Sequence, residues 1–193
     1  GDGVYREFYR DLGYDGDEGY IKPYLHSDGV RRNIGIKYHR ITGEVPLHAK
    51  EPYHPASARA RVEDHAANFL FNRQHQIRHL AGVHQRPPVV VSPYDAELFG
   101  HWWFEGPAFL EALFRRAAGQ DDFRLTTPSE VLSMGMPIQT LEPSMSTWGD
   151  KGYAEVWLNG GNAWIYRHQH EAEVRMICLL RSHPGAEGLT RRA

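Results

Sequence analysis

Residues 87–93 read Pro-Pro-Val-Val-Val-Ser-Pro, and this stretch constrains the fold of the 193-residue chain more than any other. Three successive β-branched residues favour extended backbone. Their lack of polar alternation predicts a strand buried on both faces, as in a parallel sheet. Pro93 removes a ladder donor and ends the strand. The sequence before it, residues 54–82, predicts a helix: Pro55 suits a first turn, Val62, Ala66, Phe69, Ile77 and Leu80 recur at helical spacing, and Gly82 can end it. After it, residues 106–119 predict a second helix with Phe109, Leu110, Leu113, Phe114 and Ala117 on its inner side. Residues 122–128 predict another strand. Residues 127–132 then carry a capping box, with Thr127 as cap, Pro128 first and Glu130 third. Helix, strand, helix, strand, helix in short alternation implies an α/β fold with parallel strands.

The flanks are less regular. The first 47 residues are rich in Tyr, Gly, Asp and Arg, with an extended segment suggested by Ile34, Ile36, Tyr38 and Ile41. Tyr5, Tyr9, Tyr14, Tyr20 and Tyr24 form a dense row that either lines a groove or packs against further sequence. Arg31 and Arg32 read as a solvated pair on a loop, with contact to sugar hydroxyls as the competing reading, and Asp2 and Asp11 as turn residues. Residues 137–161 are long, aromatic and aperiodic. Residues 162–183 predict one helix, capped by Asn162, with one of His168 and His170 packing inside and the other facing solvent.

Composition excludes some classes. A net charge of −2 provides no field to recruit nucleic acid or an anionic membrane, and the terminal "TRRA" reads as a frayed end. A hydrophobic content of 41% is enough for a core. No apolar run approaches the roughly 20 residues that span a bilayer. Cys178 is the lone cysteine, which excludes an internal disulfide and fits a reducing, cytoplasmic compartment. The beginning of the chain has no signal-peptide pattern.

The strand at Val89–Val91 delivers Asp95 to its carboxyl end, where chemistry collects in parallel α/β folds. His101, Trp102, Trp103 and Phe104 follow within nine residues. Flat aromatic faces stack on the C–H faces of sugar rings, and a carboxyl beside them can protonate a glycosidic oxygen. The competing reading makes Asp95 a turn cap and the tryptophans core. Glu97 and Glu105 are candidate second carboxylates. His75 and His79 are spaced to share a metal on a helix, yet Gln76 stands where a metalloprotease needs Glu and no third ligand is evident. No metal and no cofactor are expected.

"PYDAELFGHWWFEGP", residues 93–107, closely resembles the fourth motif of glycoside hydrolase family 57, above all in its 1,4-α-glucan branching enzymes. "STWGDKGYAEVWLNGGNAWIYRH" is similar to the fifth motif region of that group, and "YREFYRDLG", "GIKYHRITG" and "TPSEVL" match its wording. The resemblance spans nearly all of residues 1–183. It implies a retaining glycosyl transfer on a distorted seven-fold (β/α) barrel followed by a helical domain. Residues 1–142 would be the later part of the barrel, and residues 143–193 an aromatic loop and the first helix of the helical domain. The substrate implied is an α-1,4-glucan such as amylose, glycogen or a starch-like polysaccharide, and the product an α-1,6 branch. Asp95 would be the acid/base. Arg6, Trp148 and Trp157 would contact or support the glucan, with His101, Trp102 and Trp103 beside the acid.

Two departures stand out. Asp150 and Lys151 interrupt a run that is glycine-rich in the family. The nucleophile motif is absent; it would precede residue 1, in a missing N-terminal half of the barrel. A retaining enzyme needs two carboxyls about 5–5.5 Å apart, so this chain alone is expected to be inactive. Hydrolysis as an α-amylase, 4-α-glucanotransferase activity, or a non-catalytic glucan-binding module are the competing expectations.

Overall fold

The computed structural model describes residues 1–185 and divides into two compact units, Gly1–Gly135 and the residues from Met136 onward. Residues 186–193, which include the "TRRA" end and the last part of the expected helical domain, lie outside the described residues.

The helices of the first unit are α1 (Leu12–Asp15), α2 (Glu18–Ile21), α3 (Pro55–His84), α4 (Gly106–Ala117) and α5 (Pro128–Ser133). The core forms where α3 meets α4. Ala58, Val62, Ala66 and Leu70 are buried along the first half of α3, and they meet Phe109, Ala112, Leu113 and Ala117 of α4. Spacings of three and four residues put each set on one helical face. Phe114, expected on the inner side, lies off the stripe and is exposed. Glu63 of α3 grips both Arg115 and Arg116 across the helix pair, at 3.2 and 2.8 Å. Gly82 does not end α3. The residue that turns left-handed is Gln85 (φ 53°), whose side-chain amide bonds back to the Gly82 carbonyl. The Thr127–Glu130 capping box forms as expected and starts α5.

The N-terminal residues lie against this pair in an irregular antiparallel ribbon. Ile41 N–H donates to the Tyr5 carbonyl and Glu7 N–H to the His39 carbonyl, both at 2.8 Å. On the other side, Tyr53 N–H donates to the Tyr38 carbonyl. Tyr5 is thereby buried among Trp103, His65 and α3. Asp11 is more than a turn residue. It is buried, caps α1 through Gly13 N–H, accepts from Ile34 and Gly35, and pairs with Lys37 at 3.1 Å. Arg31 is exposed but anchored on the carbonyls of Tyr14 and Gly16, while Arg32 pairs with Asp28.

The two expected strands do not form ladders. Residues 89–91 and 122–126 take no regular secondary structure, and only three isolated bridges occur among the described residues. Val91 is 78% exposed, the reverse of a strand buried on both faces. A helix closes its hydrogen bonds within its own sequence, whereas a strand needs a neighbour, and no other segment of the described chain pairs with these two.

In the second unit, Thr147 N–H donates to the Gly152 carbonyl, closing a tight loop, and α6 (Ala163–Ser182) follows. Asn162 precedes α6 but does not cap it, because its side-chain oxygen accepts from Asn159 N–H instead. No residue of α6 is buried, and His168 and His170 are both exposed. No helix among the described residues is long and apolar enough to cross a membrane.

Candidate functional site

Asp95, itself in extended backbone, stands where the irregular run 89–95 turns into the short 3-10 turn Ala96–Leu98. Its backbone carbonyl closes the turn by accepting from Leu98 N–H, and its side chain makes no capping bond. The carboxylate is exposed and faces a cleft of about 520 Å³ lined by Pro93, Tyr94, Asp95, Glu97, Leu98 and Trp102. Leu98 and Trp102 also line a larger groove of about 880 Å³, whose other walls include Arg6, Phe8, Tyr9 and Lys50.

The loop between the 3-10 turn and α4 is held by its own backbone. Trp103 N–H donates to the Leu98 carbonyl at 2.8 Å, and Gly100 and Gly106 N–H both donate to the Trp103 carbonyl. Gly106 must be small. A Cβ there would stand 2.8 Å from the Phe99 Cα, so no side chain fits between the loop and the start of α4. The adjacent tryptophans therefore part company. Trp102 is half exposed and stacks on Phe8, with ring centroids 4.5 Å apart. Trp103 turns inward against Tyr5, Phe99 and Phe109. His101 is exposed and meets the edge of Phe8.

Arg6 joins this wall from the N-terminal ribbon. Its guanidinium lies 3.6 Å from the centroid of Phe104, and its backbone N–H donates to Glu105. Burial draws the Arg6 guanidinium below its ordinary value, while the Glu105 carboxylate pulls the other way. Of the two candidate second carboxylates, Glu97 shares the cleft with Asp95 and Glu105 is buried behind the loop. Phe8 and Tyr94, which complete the aromatic lining, carried no mark in the sequence beyond being aromatic.

Trp148 and Trp157 belong to the second unit. Their rings meet edge to face at 5.1 Å, and Trp148 is 90% exposed. Gly149 allows this packing, since a Cβ there would come within 2.5 Å of the Trp157 ring. Lys151, which interrupts the expected glycine run, adopts φ 57°, the left-handed conformation that glycine takes without cost. No group of three or more His, Cys, Asp or Glu side chains converges to hold a metal among the described residues, and His75 bonds the Phe71 carbonyl within its own helix.

No family model matches the chain. Individual proteins do. A 1,4-alpha-glucan branching enzyme of Thermococcus kodakarensis is 34% identical over 185 residues, 93% of this chain and 26% of that protein. An alpha-amylase of Thermotoga maritima superposes with a TM-score of 0.74 at 43% identity, over 96% of this chain and 34% of its own. A GH57-type branching enzyme of Pyrococcus horikoshii superposes with a TM-score of 0.70 at 31% identity, over 97% of this chain and 31% of its own. The chain belongs to glycoside hydrolase family 57. This GH57 chain spans about a quarter to a third of the length of the relatives it matches.

Proposed function

We propose that the whole protein is a 1,4-α-glucan branching enzyme, and that Asp95 is the acid/base of a retaining transfer. The observation that carries this reading is the 34% identity, across 93% of the chain, to a branching enzyme. The Asp95 cleft supports it, since an exposed carboxylate lies beside the half-exposed face of Trp102. Asp95 would protonate the departing glycosidic oxygen and then take the proton of the 6-hydroxyl that attacks the glycosyl-enzyme. Trp102 would offer a stacking face, Trp103 would support it, and Arg6 and His101 would bond sugar hydroxyls. Trp148 and Trp157 would form a second glucan-contacting pair on their own unit.

The reading assigns the nucleophilic carboxylate to sequence preceding Gly1, together with the N-terminal half of a barrel. Residues 1–142 would supply the later part of that barrel, and residues 143–193 would open a helical domain. The substrate would be an α-1,4-glucan of the amylose, glycogen or starch kind. A cytoplasmic setting belongs to the same reading, supported by the lone cysteine, exposed at Cys178.

A second reading, α-amylase, is favoured by the 43% identity to the Thermotoga maritima protein. Linkage analysis of products made by the whole protein separates the two. New α-1,6 bonds at constant reducing-end content support branching, whereas rising reducing ends without α-1,6 bonds reject it in favour of hydrolysis. In either case Asp95→Asn should lower turnover by about 10²–10⁴-fold while glucan binding persists. Retention of wild-type turnover would remove Asp95 from the chemistry.

A further inference from the structure

Glu105 is the least expected carboxylate in the first unit. It is only 5% exposed, and it immediately follows Trp102, Trp103 and Phe104. One oxygen, Oε1, accepts the backbone N–H of Arg6 at 3.0 Å across 99 positions of sequence. The other, Oε2, is buried and meets no partner in good hydrogen-bond geometry among the described residues, although the Tyr53 hydroxyl and the Arg6 guanidinium are near enough to feel the carboxylate. A buried carboxylate with a bare oxygen is costly, and an apolar residue of similar volume would serve stability as well or better. Its presence therefore calls for a role other than packing.

The contacts around it indicate that role. Residues 5–8 lie along residues 101–105 as two strips tied at successive points. Tyr5 meets Trp103 at 5.5 Å, the Arg6 guanidinium covers Phe104, and Phe8 stacks on Trp102 at an interplanar angle of 27°. These side-chain contacts are all aromatic and can slide with little change in energy. Among the described residues, the Glu105–Arg6 hydrogen bond is the one that joins the two strips, and it fixes their register because a bond from a carboxylate to one particular N–H has a defined length and direction.

We propose that Glu105 is a positioning residue: its buried carboxylate locks Arg6 in place and so sets the Phe8–Trp102 stack, through which Trp102 is held in the wall of the Asp95 cleft. The role for glucan rests on the functional reading above; the register of the stack does not. A nearby group feels the same carboxylate. Burial first, and then hydrogen bonding to Glu105 and its charge, lift the Tyr53 hydroxyl well above the ordinary phenol range.

Two conservative variants test this. Glu105→Asp keeps the charge but draws the oxygens back by one methylene, out of reach of Arg6. Glu105→Gln keeps the reach and an acceptor oxygen while removing the charge. The near-ultraviolet circular dichroism band of the Phe8–Trp102 stack is defined as the signal that Phe8→Ala removes. Glu105→Asp should lose this band and bind maltoheptaose about fivefold to tenfold more weakly, while Glu105→Gln should keep the band and bind within about twofold of wild type. An intact band in Glu105→Asp, or a lost band in Glu105→Gln, overturns the positioning role. If Glu105→Asp does not fold, hydrogen exchange of the Arg6 amide in the wild-type chain reads the same bond: slow exchange supports the proposal and fast exchange overturns it. If the wild-type chain binds no maltoheptaose, or Trp102→Ala binds it unchanged, the glucan reading of the cleft fails, and the band alone still decides the role of Glu105.

Discussion

Replacing Asp11 with Asn should loosen the turn that joins residues 11–13 to residues 34–37. The Asp11 Oδ1 accepts from Gly13 N–H at 2.8 Å and Ile34 N–H at 3.0 Å, while Oδ2 accepts from Gly35 N–H at 3.0 Å and meets the Lys37 ammonium at 3.1 Å. Asparagine can keep the first pair. Its amide nitrogen then faces two donors, so two charge-assisted interactions are lost and a partly buried ammonium is left without its partner. Such bonds contribute about 1.5–3 kcal/mol each, and breaking a buried pair costs about 3–5 kcal/mol, so a loss of roughly 3–5 kcal/mol is expected. Native-state hydrogen exchange of the Gly13, Ile34 and Gly35 amides measures it as a fall in opening free energy. The pH dependence gives a second check. Burial works to raise the Asp11 pKa, but the N–H groups of Ile34 and Gly13, then Lys37, then Gly35, outweigh it and hold it below its ordinary 3.8. A depressed carboxyl contributes stability above its unfolded pKa and loses it as pH falls through the folded value. The difference between wild type and Asp11→Asn should therefore be full near neutrality and shrink below 3.8. Unchanged protection of the three amides in the variant, or a difference that does not shrink in acid, would refute the reasoning.

Leu113 is 8% exposed in the α3–α4 core, so Leu113→Ala should cost about 2–5 kcal/mol in urea unfolding; a cost under about 1 kcal/mol would place the core elsewhere. Lys151→Gly should relieve left-handed strain of about 1–2 kcal/mol, less the greater unfolded entropy of glycine, and slow exchange of the Thr147 and Gly152 amides, whereas faster exchange would count against the strain. Burial, followed by Asp2 and Glu105, raises the Tyr5 hydroxyl to about 12. The tyrosinate absorbance lost in Tyr5→Phe should therefore appear near that pH, with stability falling as the unfolded phenol ionises first; ionisation near 10 would refute the assignment.

Local interactions made some elements readable in advance. Pro55 opens α3, Thr127 and Glu130 close their capping box, and Phe109, Leu113 and Ala117 face inward, because caps and helical faces depend on residues three or four apart. The end of α3 was less readable, since a glycine permits the left-handed turn without requiring it and Gln85 supplied its own bond to stabilise one. Phe114 shows the limit of counting apolar residues, as it lies beside the buried stripe and remains exposed.

The sequence by itself determined the four longer helices and the Thr127–Glu130 capping box, the acid that ends the valine run, and the aromatic residues that follow it. The tertiary structure decided what each does. It exposed Val91 for want of a neighbouring strand, turned Trp102 outward and Trp103 inward, and buried Asp11 and Glu105 against backbone donors far along the chain. Helical hydrogen bonds close within a few residues, whereas strand pairing, burial of a carboxylate and the facing of a ring are set by residues tens of positions away.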